Sequence, residues 1–212
     1  MSNYTKYPRT FHLPYSFGRT SDDKVLKTDD QFIGKHVVIT EKMDGENTTL
    51  YRNYMHARSI DGRHHPSRDW VKQFHSTFSH LMPESFRICG ENVYAKHSIE
   101  YANLESYFYG FSIWEGDMCL SWDDTMEYLE IFGVTPVPVL YQGIYEGPAT
   151  ASKLIQTMNL NTQEGFVIRN AESFHIDDFS KNVAKFVRQS HVQTDEHWMN
   201  AAIIPNKLRS TE

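Results

Sequence analysis

Lys42-Met43-Asp44-Gly45 sets a lysine in a short loop, with Glu41 before it and Glu46-Asn47 after it. Further polar and aromatic elements follow in order: Arg58 with Asp61-Gly62-Arg63, then Gly90-Glu91-Asn92, Tyr109-Gly110-Phe111, Glu164-Gly165-Phe166-Val167-Ile168 and Lys185-Phe186-Val187-Arg188. Lysine and arginine hold anionic oxygens, glutamate accepts from hydroxyls or binds cations, and an aromatic ring offers a face for stacking. Each element alone has a plain structural reading. Asp-Gly is common hairpin-turn chemistry because both residues tolerate positive φ, so Lys42 in isolation is an exposed turn lysine. Glu91 is then a strand-edge salt-bridge partner, Phe111 a core side chain and Glu164 a surface carboxylate. The joint occurrence of all these elements is what chance does not explain. Other chemistries find no pattern. Neither His64-His65 nor His75 with His80 has zinc-ligand spacing, no HExxH or cysteine set exists, and no GxSxG elbow supports a hydrolase triad.

Residues 1–30, with Pro8, Pro14 and Asp22-Asp23, form an irregular arm without a helix. Val37-Val38-Ile39 and Thr48-Thr49-Leu50-Tyr51 predict two strands around the Lys42 loop. After Pro66 a helix is predicted, with Ser67 as N-cap, Asp69 in its first turn, an apolar stripe of Trp70, Phe74, Phe78 and Leu81, and Pro83 as its close. Strands are predicted at Phe86–Ala95, Tyr107–Trp114, Pro136–Tyr141, Gly165–Asn170 and Val183–Val187, and a helix at Ser121–Phe132 with Gly133 as its stop. Strands outnumber helices without regular alternation, which predicts an α+β fold of packed sheets with flanking helices.

The 212 residues, 40% of them hydrophobic, fit one domain able to bury a core, expected to span 1–212. Cys89 and Cys119 show no CxxC pairing and read as free core thiols. No run approaches the roughly 18 apolar residues of a membrane helix, and the start lacks a signal-peptide stretch, so the expected location is cytoplasmic, with no membrane partner. A net charge of −6 argues against nucleic-acid binding by overall basicity. Any such binding must be local, and two clusters are candidates: Arg52, Arg58, Arg63, Arg68 and Lys72, and Lys181, Lys185, Arg188 and His191.

The order of elements resembles the covalent nucleotidyltransferases, the superfamily of ATP-dependent DNA and RNA ligases and mRNA capping enzymes. It is most similar to the ATP-dependent RNA ligase family. The resemblance runs from Lys42 to Arg188 and extends to Arg9-Thr10-Phe11-His12-Leu13-Pro14 and to the 192–198 segment. It implies an adenylation domain of packed antiparallel sheets. It also implies that Lys42 is the nucleophile that takes AMP from ATP, that Glu91 holds the ribose hydroxyls, that Phe111 stacks on the purine, and that Glu164 binds Mg2+ or Mn2+. Glu41 and Asn47 are further nucleotide contacts by position. A free lysine is protonated at neutral pH, so the site is expected to lower the Lys42 pKa, with Arg58, Lys185 and a metal supplying the positive field. The last motif departs from the family, which often has two lysines there; Lys185 is single, with Lys181 or Arg188 as substitutes.

Family members with DNA-ligase or capping activity carry an OB-type domain after this strand. The 24 residues beyond Arg188 are too few for one, which favours RNA end joining. Orientation of the leaving pyrophosphate is then expected from the arm, with Arg9, Arg19 and Lys24 as candidates by charge. The expected function is an ATP-dependent RNA ligase that seals 5'-phosphate and 3'-hydroxyl RNA ends, with an end-healing kinase or phosphatase as a candidate partner. The alternatives are a DNA ligase or capping-type nucleotidyltransferase, and a non-catalytic nucleotide- or RNA-binding module of the same fold.

Overall fold

The computed structural model describes residues 4–60, 64–189 and 202–210. Asp61-Gly62-Arg63, His191 and the 192–198 segment lie outside the described residues. Along the chain the elements are β1 (Phe11–His12), β2 (His36–Glu41), β3 (Glu46–Tyr51), β4 (Tyr54–Ala57), α1 (Asp69–Phe78), β5 (Phe86–Asn92), β6 (Phe108–Glu115), β7 (Met118–Cys119), α2 (Trp122–Ile131), β8 (Thr135–Pro136), β9 (Val139–Ile144), α3 (Pro148–Thr157), β10 (Gly165–Asn170), β11 (Phe174–His175), α4 (Phe179–Asn182) and β12 (Val183–Val187).

Two sheets result, one ordered β1-β12-β10-β2-β9 and the other β11-β7-β6-β5-β3-β4, with β8 beside β6. Pairing is antiparallel apart from the short β1–β12 and β6–β8 pairs, which are parallel. The expected α+β class holds. Both faces of each sheet are covered, which is why β2 reads as a continuous buried run from Val37 to Thr40 rather than an alternating one. Val37 and Ile39 pack with Leu13, Phe32, Phe166 and Phe186, with side chains of α3 against that cluster. Val38 points the other way, to Met43, Tyr109, Trp122 and Val137, in the layer between the sheets. Leu50, Ile88 and Phe108 form a third cluster with Val71 and Phe78 of α1 and Leu129 of α2. Cys89 and Cys119 are free and buried. Among the described residues no helix is long and apolar enough to cross a membrane.

Local expectations fail where a competing interaction is stronger. Ser67 does not cap α1: it lies in a 3-10 turn over Pro66–Arg68, capped by the His65 side chain. Leu81 is exposed, because the stripe of α1 ends at Phe78 and a second 3-10 turn follows. The single strand expected at Pro136–Tyr141 splits into β8 and β9, since Pro136 and Pro138 carry no N–H for a ladder. Sequence reading missed α3, although Gly147-Pro148, with Pro at its first turn, marks its start. Ser121 does cap α2, its Oγ accepting from Asp124 N at 3.1 Å, and Gly133 (φ 66°) follows its last turn. The described residues of the arm form no α-helix, and β1 ties it to β12 with His12 opposite Lys185.

Candidate active site

Lys42 leaves β2 at the mouth of a cavity of about 760 Å³ between the sheets. Its backbone N–H donates to Gly165 O at 3.0 Å, continuing the β2–β10 pairing by one residue. That bond brings the Lys42 Nζ to 2.6 Å from Glu164 Oε2. Gly165 is required for β10 to lie beside β12: a Cβ there would lie 1.9 Å from Phe186 O. Gly45 is likewise a close-approach glycine, with an added Cβ 2.4 Å from Asn92 O, and it is not one of the glycines with positive φ. The turn reading of Asp44-Gly45 therefore gives way to a packing one.

Asp44 is buried and anchors the loop. Its Oδ2 accepts from Ser98 N at 2.8 Å, Ser98 Oγ at 2.8 Å and Ile99 N at 2.7 Å, while its own N–H donates to Tyr101 Oη at 2.9 Å. The 93–107 segment that provides these partners is itself held by residues near the C-terminus. Asn206 accepts from Tyr101 N at 2.9 Å and donates to Val93 O at 2.8 Å, and its carbonyl accepts from Tyr107 Oη at 2.9 Å. Sequence reading gave no signal for this buttress.

The cavity wall collects most of the expected site. Glu41, Lys42, Asn47, Arg58, Glu91, Phe111 and Lys185 all line it. Asn47 and Glu91 face each other across β3 and β5, and Lys185 stands on β12, one strand beyond β10. Glu41 accepts from Gln163 Nε2 at 2.8 Å, and burial holds its carboxyl above the ordinary value. The Asn47 Oδ1 is buried without a hydrogen-bond partner among the described residues, a polar atom left for a ligand. Phe111 is half-buried and meets Tyr7 edge-on at 5.3 Å; Trp114, Phe174 and Phe179 extend this aromatic part of the wall. Glu164 does not line the cavity; it is buried behind Lys42.

The electrostatics differ from expectation. Burial disfavours the Lys42 ammonium, but Glu164 and Glu91 outweigh it and hold the pKa above its ordinary value. The lysine pushed down is Lys185, by burial and then by the Lys42 charge. At Lys42 the carboxylates of Glu164, Glu91 and Asp44 outweigh burial, whereas at Lys185 burial and the charges of Lys42 and Arg58 outweigh the pull of Asp23 and Glu164. Burial pushes Glu91 up to about 8, although Lys42 pulls the other way.

Among the described residues no three His, Cys, Asp or Glu side chains converge as a metal cage. Glu164 offers one hard-oxygen carboxylate, which fits magnesium or manganese where substrate phosphates and water complete the shell.

Several expectations are corrected. Arg68 is not a solvated cation: it is buried and grips Glu46 through two hydrogen bonds, Nε to Oε2 at 2.7 Å and Nη2 to Oε1. Arg52 donates to Met82 O at 3.2 Å, leaving Arg58 and Lys72 as the exposed members of the first basic cluster among the described residues. Neither Lys181 nor Arg188 replaces the second lysine at the cavity. Lys181 pairs with Asp178 at 2.6 Å and Arg188 donates to Leu160 O. Sequence reading missed Tyr7, Asp23, His97, Arg68 and Arg169, which also line the cavity. Their types carry no spacing signal, because they come from separate parts of the chain, Arg169 from β10, Arg68 from the Pro66–Arg68 turn and the others from loops.

No curated protein matches the chain. Solved structures share its fold. An archaeal ATP-dependent RNA ligase superposes with a TM-score of 0.61 at 17% identity, covering 87% of this chain and 48% of that one. A protein assigned as an ATP-dependent DNA ligase, from Aquifex aeolicus, gives a TM-score of 0.55 at 18% identity, covering 86% and 49%. A Naegleria gruberi RNA ligase mutant with ATP and Mn gives 0.59 at 17% identity, covering 90% and 58%. The chain thus spans about half the length of these structures. The RNA ligase family model matches residues 35–187, from the residue before β2 to the end of β12, and by that match the chain belongs to the RNA ligase family.

Proposed function

We propose that this chain performs ATP-dependent joining of RNA ends through a lysyl-AMP intermediate. The carrying observation is the position of Lys42, at the cavity mouth beside Glu164 with Glu91, Arg58 and Lys185 on the same site. In the first step the Lys42 amine forms an N–P bond to the α-phosphorus of ATP, the bond to the bridging oxygen breaks, and pyrophosphate leaves with the electron pair. The Lys42 ammonium must give up a proton to become the attacking amine, and Glu164, with Oε2 2.6 Å from Nζ, is the group that accepts it; the second proton, shed from the nitrogen as the N–P bond forms, passes to solvent. Lys185 and Arg58 offset the charge that grows on the α-phosphate oxygens. Glu91 and Asn47 hold the ribose, Glu41 is a further nucleotide contact, and Phe111 stacks on the base. Glu164 would hold a divalent ion, magnesium or manganese, which when bound neutralises phosphate oxygens; the Naegleria gruberi structure with ATP and Mn supports that cofactor pair. AMP then passes to a 5'-phosphate RNA end, and a 3'-hydroxyl attacks that end, sealing the strand and releasing AMP. Such ends are products of 5'-kinases and 3'-phosphatases, the class of end-healing enzyme that would act first.

Incubation with ATP labelled at the α-phosphate, with and without magnesium or manganese, tests the reading. Metal-dependent label that survives denaturing electrophoresis and maps to Lys42 is expected. A wild-type protein that binds ATP without becoming labelled would instead be a non-catalytic nucleotide-binding member of the fold.

A further inference from the structure

Three cations of the N-terminal arm could approach the nucleotide by charge, and the fold separates them. Lys24 is exposed, with its Nζ 5.3 Å from the centre of the Phe11 ring, and Arg19 is exposed; neither lines the cavity. Arg9 does line it, together with Lys42, Arg58 and Lys185. Its place follows from β1, whose parallel pairing sets His12 opposite Lys185 and lays the preceding residues Tyr7, Pro8, Arg9 and Thr10 along the cavity.

The other guanidiniums on the wall differ in how far they are committed. Arg68 is fully engaged by Glu46. Arg169 is buried and donates to Asn170 O at 3.0 Å and Leu120 O at 2.8 Å. The Arg9 side chain is 47% exposed, with Nη2 4.0 Å from Asp23 Oδ1. The Asp23 carboxylate is turned partly to its own loop, with Oδ2 accepting from Thr20 N at 2.9 Å and Thr20 Oγ1 at 3.1 Å and lying 3.5 Å from His12 Nε2. Asp23 therefore steadies Arg9 without saturating it.

We infer that Arg9 binds the β- and γ-phosphates of ATP and orients pyrophosphate as it departs from the Lys42 attack. This rests on the proposed function above. Arg58 and Lys185 serve the α-phosphate in that reading, so the leaving group needs a further cation, and a planar guanidinium matches two phosphate oxygens at once. Residues 4–34, including Arg9, lie ahead of the 35–187 stretch that the family model matches. As the bond from the α-phosphorus to the bridging oxygen breaks, the electron pair passes to pyrophosphate, and Arg9 meets the charge gained there.

Arg9→Ala in the full chain, with Lys24→Ala as a control from the same arm, separates the steps. Self-adenylation from ATP is expected to slow by about 10²-fold, and pyrophosphate-driven release of AMP from the adenylated enzyme to slow with it. Sealing of an RNA strand supplied with AMP already on its 5'-phosphate involves no pyrophosphate and should keep its wild-type rate, and Arg9→Lys should recover part of the lost adenylation. Lys24→Ala should match wild type in all three assays. Wild-type adenylation by Arg9→Ala overturns this inference alone, as does an equal loss in the sealing of pre-adenylated RNA, which would make Arg9 a structural or RNA-holding residue. Absence of labelling in the wild-type protein overturns the proposed function and this inference together.

Discussion

The Nζ of Lys42 lies 2.6 Å from Oε2 of Glu164, a contact between residues 122 positions apart in the sequence. One backbone bond, Lys42 N to Gly165 O, sets that meeting. The pair is mutual: Glu164 keeps Lys42 cationic, and Lys42 compensates a carboxylate that is buried.

Lys42→Ala should therefore abolish covalent AMP labelling and also lower stability by about 1–3 kcal/mol, because the buried Glu164 carboxylate loses the Lys42 charge. The protein should remain folded, since typical domain stabilities are about 5–15 kcal/mol. Lys42→Arg should fail to label as well, as a guanidinium stays protonated. Labelling of either variant at the wild-type rate would remove Lys42 as nucleophile.

Glu91 supplies a pH test. Its carboxyl is pushed up to about 8 from an ordinary 4.5, mainly by burial. Across that window the folded protein binds a proton that the unfolded chain gives up, so this contribution to stability is full at low pH and is lost as pH rises towards 8. Glu91→Gln removes the loss. The melting temperature of the variant relative to wild type should rise as pH goes from about 5 to about 8. A difference that stays flat with pH would count against a raised Glu91.

Phe111 both lines the cavity and packs against Tyr7, so truncation to alanine mixes two effects. Phe111→Leu separates them by keeping apolar volume while losing the ring. ATP binding measured by calorimetry should weaken by about 1–3 kcal/mol, with thermal stability close to wild type. Unchanged affinity with a lowered melting temperature would assign the ring to the core.

Arg68→Ala should cost about 3–5 kcal/mol, as expected when one member of a buried pair is removed and Glu46 is left without its guanidinium. Chemical denaturation measures this directly. Lys72→Ala, on the exposed face of α1, should leave stability within about 0.5 kcal/mol of wild type. Similar small effects from both would place Arg68 on the surface.

The substrate test uses nicks that differ only in the sugar at the 3'-hydroxyl side. The 2'-hydroxyl beside the attacking group is what separates RNA from DNA there. RNA at that side should be joined faster than an all-DNA nick, even with DNA on the 5'-phosphate side. Equal single-turnover rates from pre-adenylated enzyme would transfer the assignment to DNA joining.

Short-range pattern carried much of this molecule. The β-branched run of β2, the capped Ser121 helix and the ordered Lys42, Glu91, Phe111, Glu164 and Lys185 elements were all readable, because strand and helix periodicity and turn chemistry act over a few residues. Their gathering on one site was readable only through family likeness. Tertiary structure alone decided the rest. Gly45 needs no positive φ; what excludes a side chain there is Asn92 O at the end of β5. Arg68 reads as a surface cation in a basic run, yet sheet register places Glu46 against it and turns it into a buried tie. Arg9 is one of three arm cations that charge alone does not tell apart, and Asn206 carries no motif. The first reaches the cavity because β1 pairs with β12, and the second supports Asp44 through Tyr101. Contacts of this kind join residues far apart in the chain, and they depend on which strands pair and in what register. Burial of the whole core settles that choice, not the sequence around any one residue.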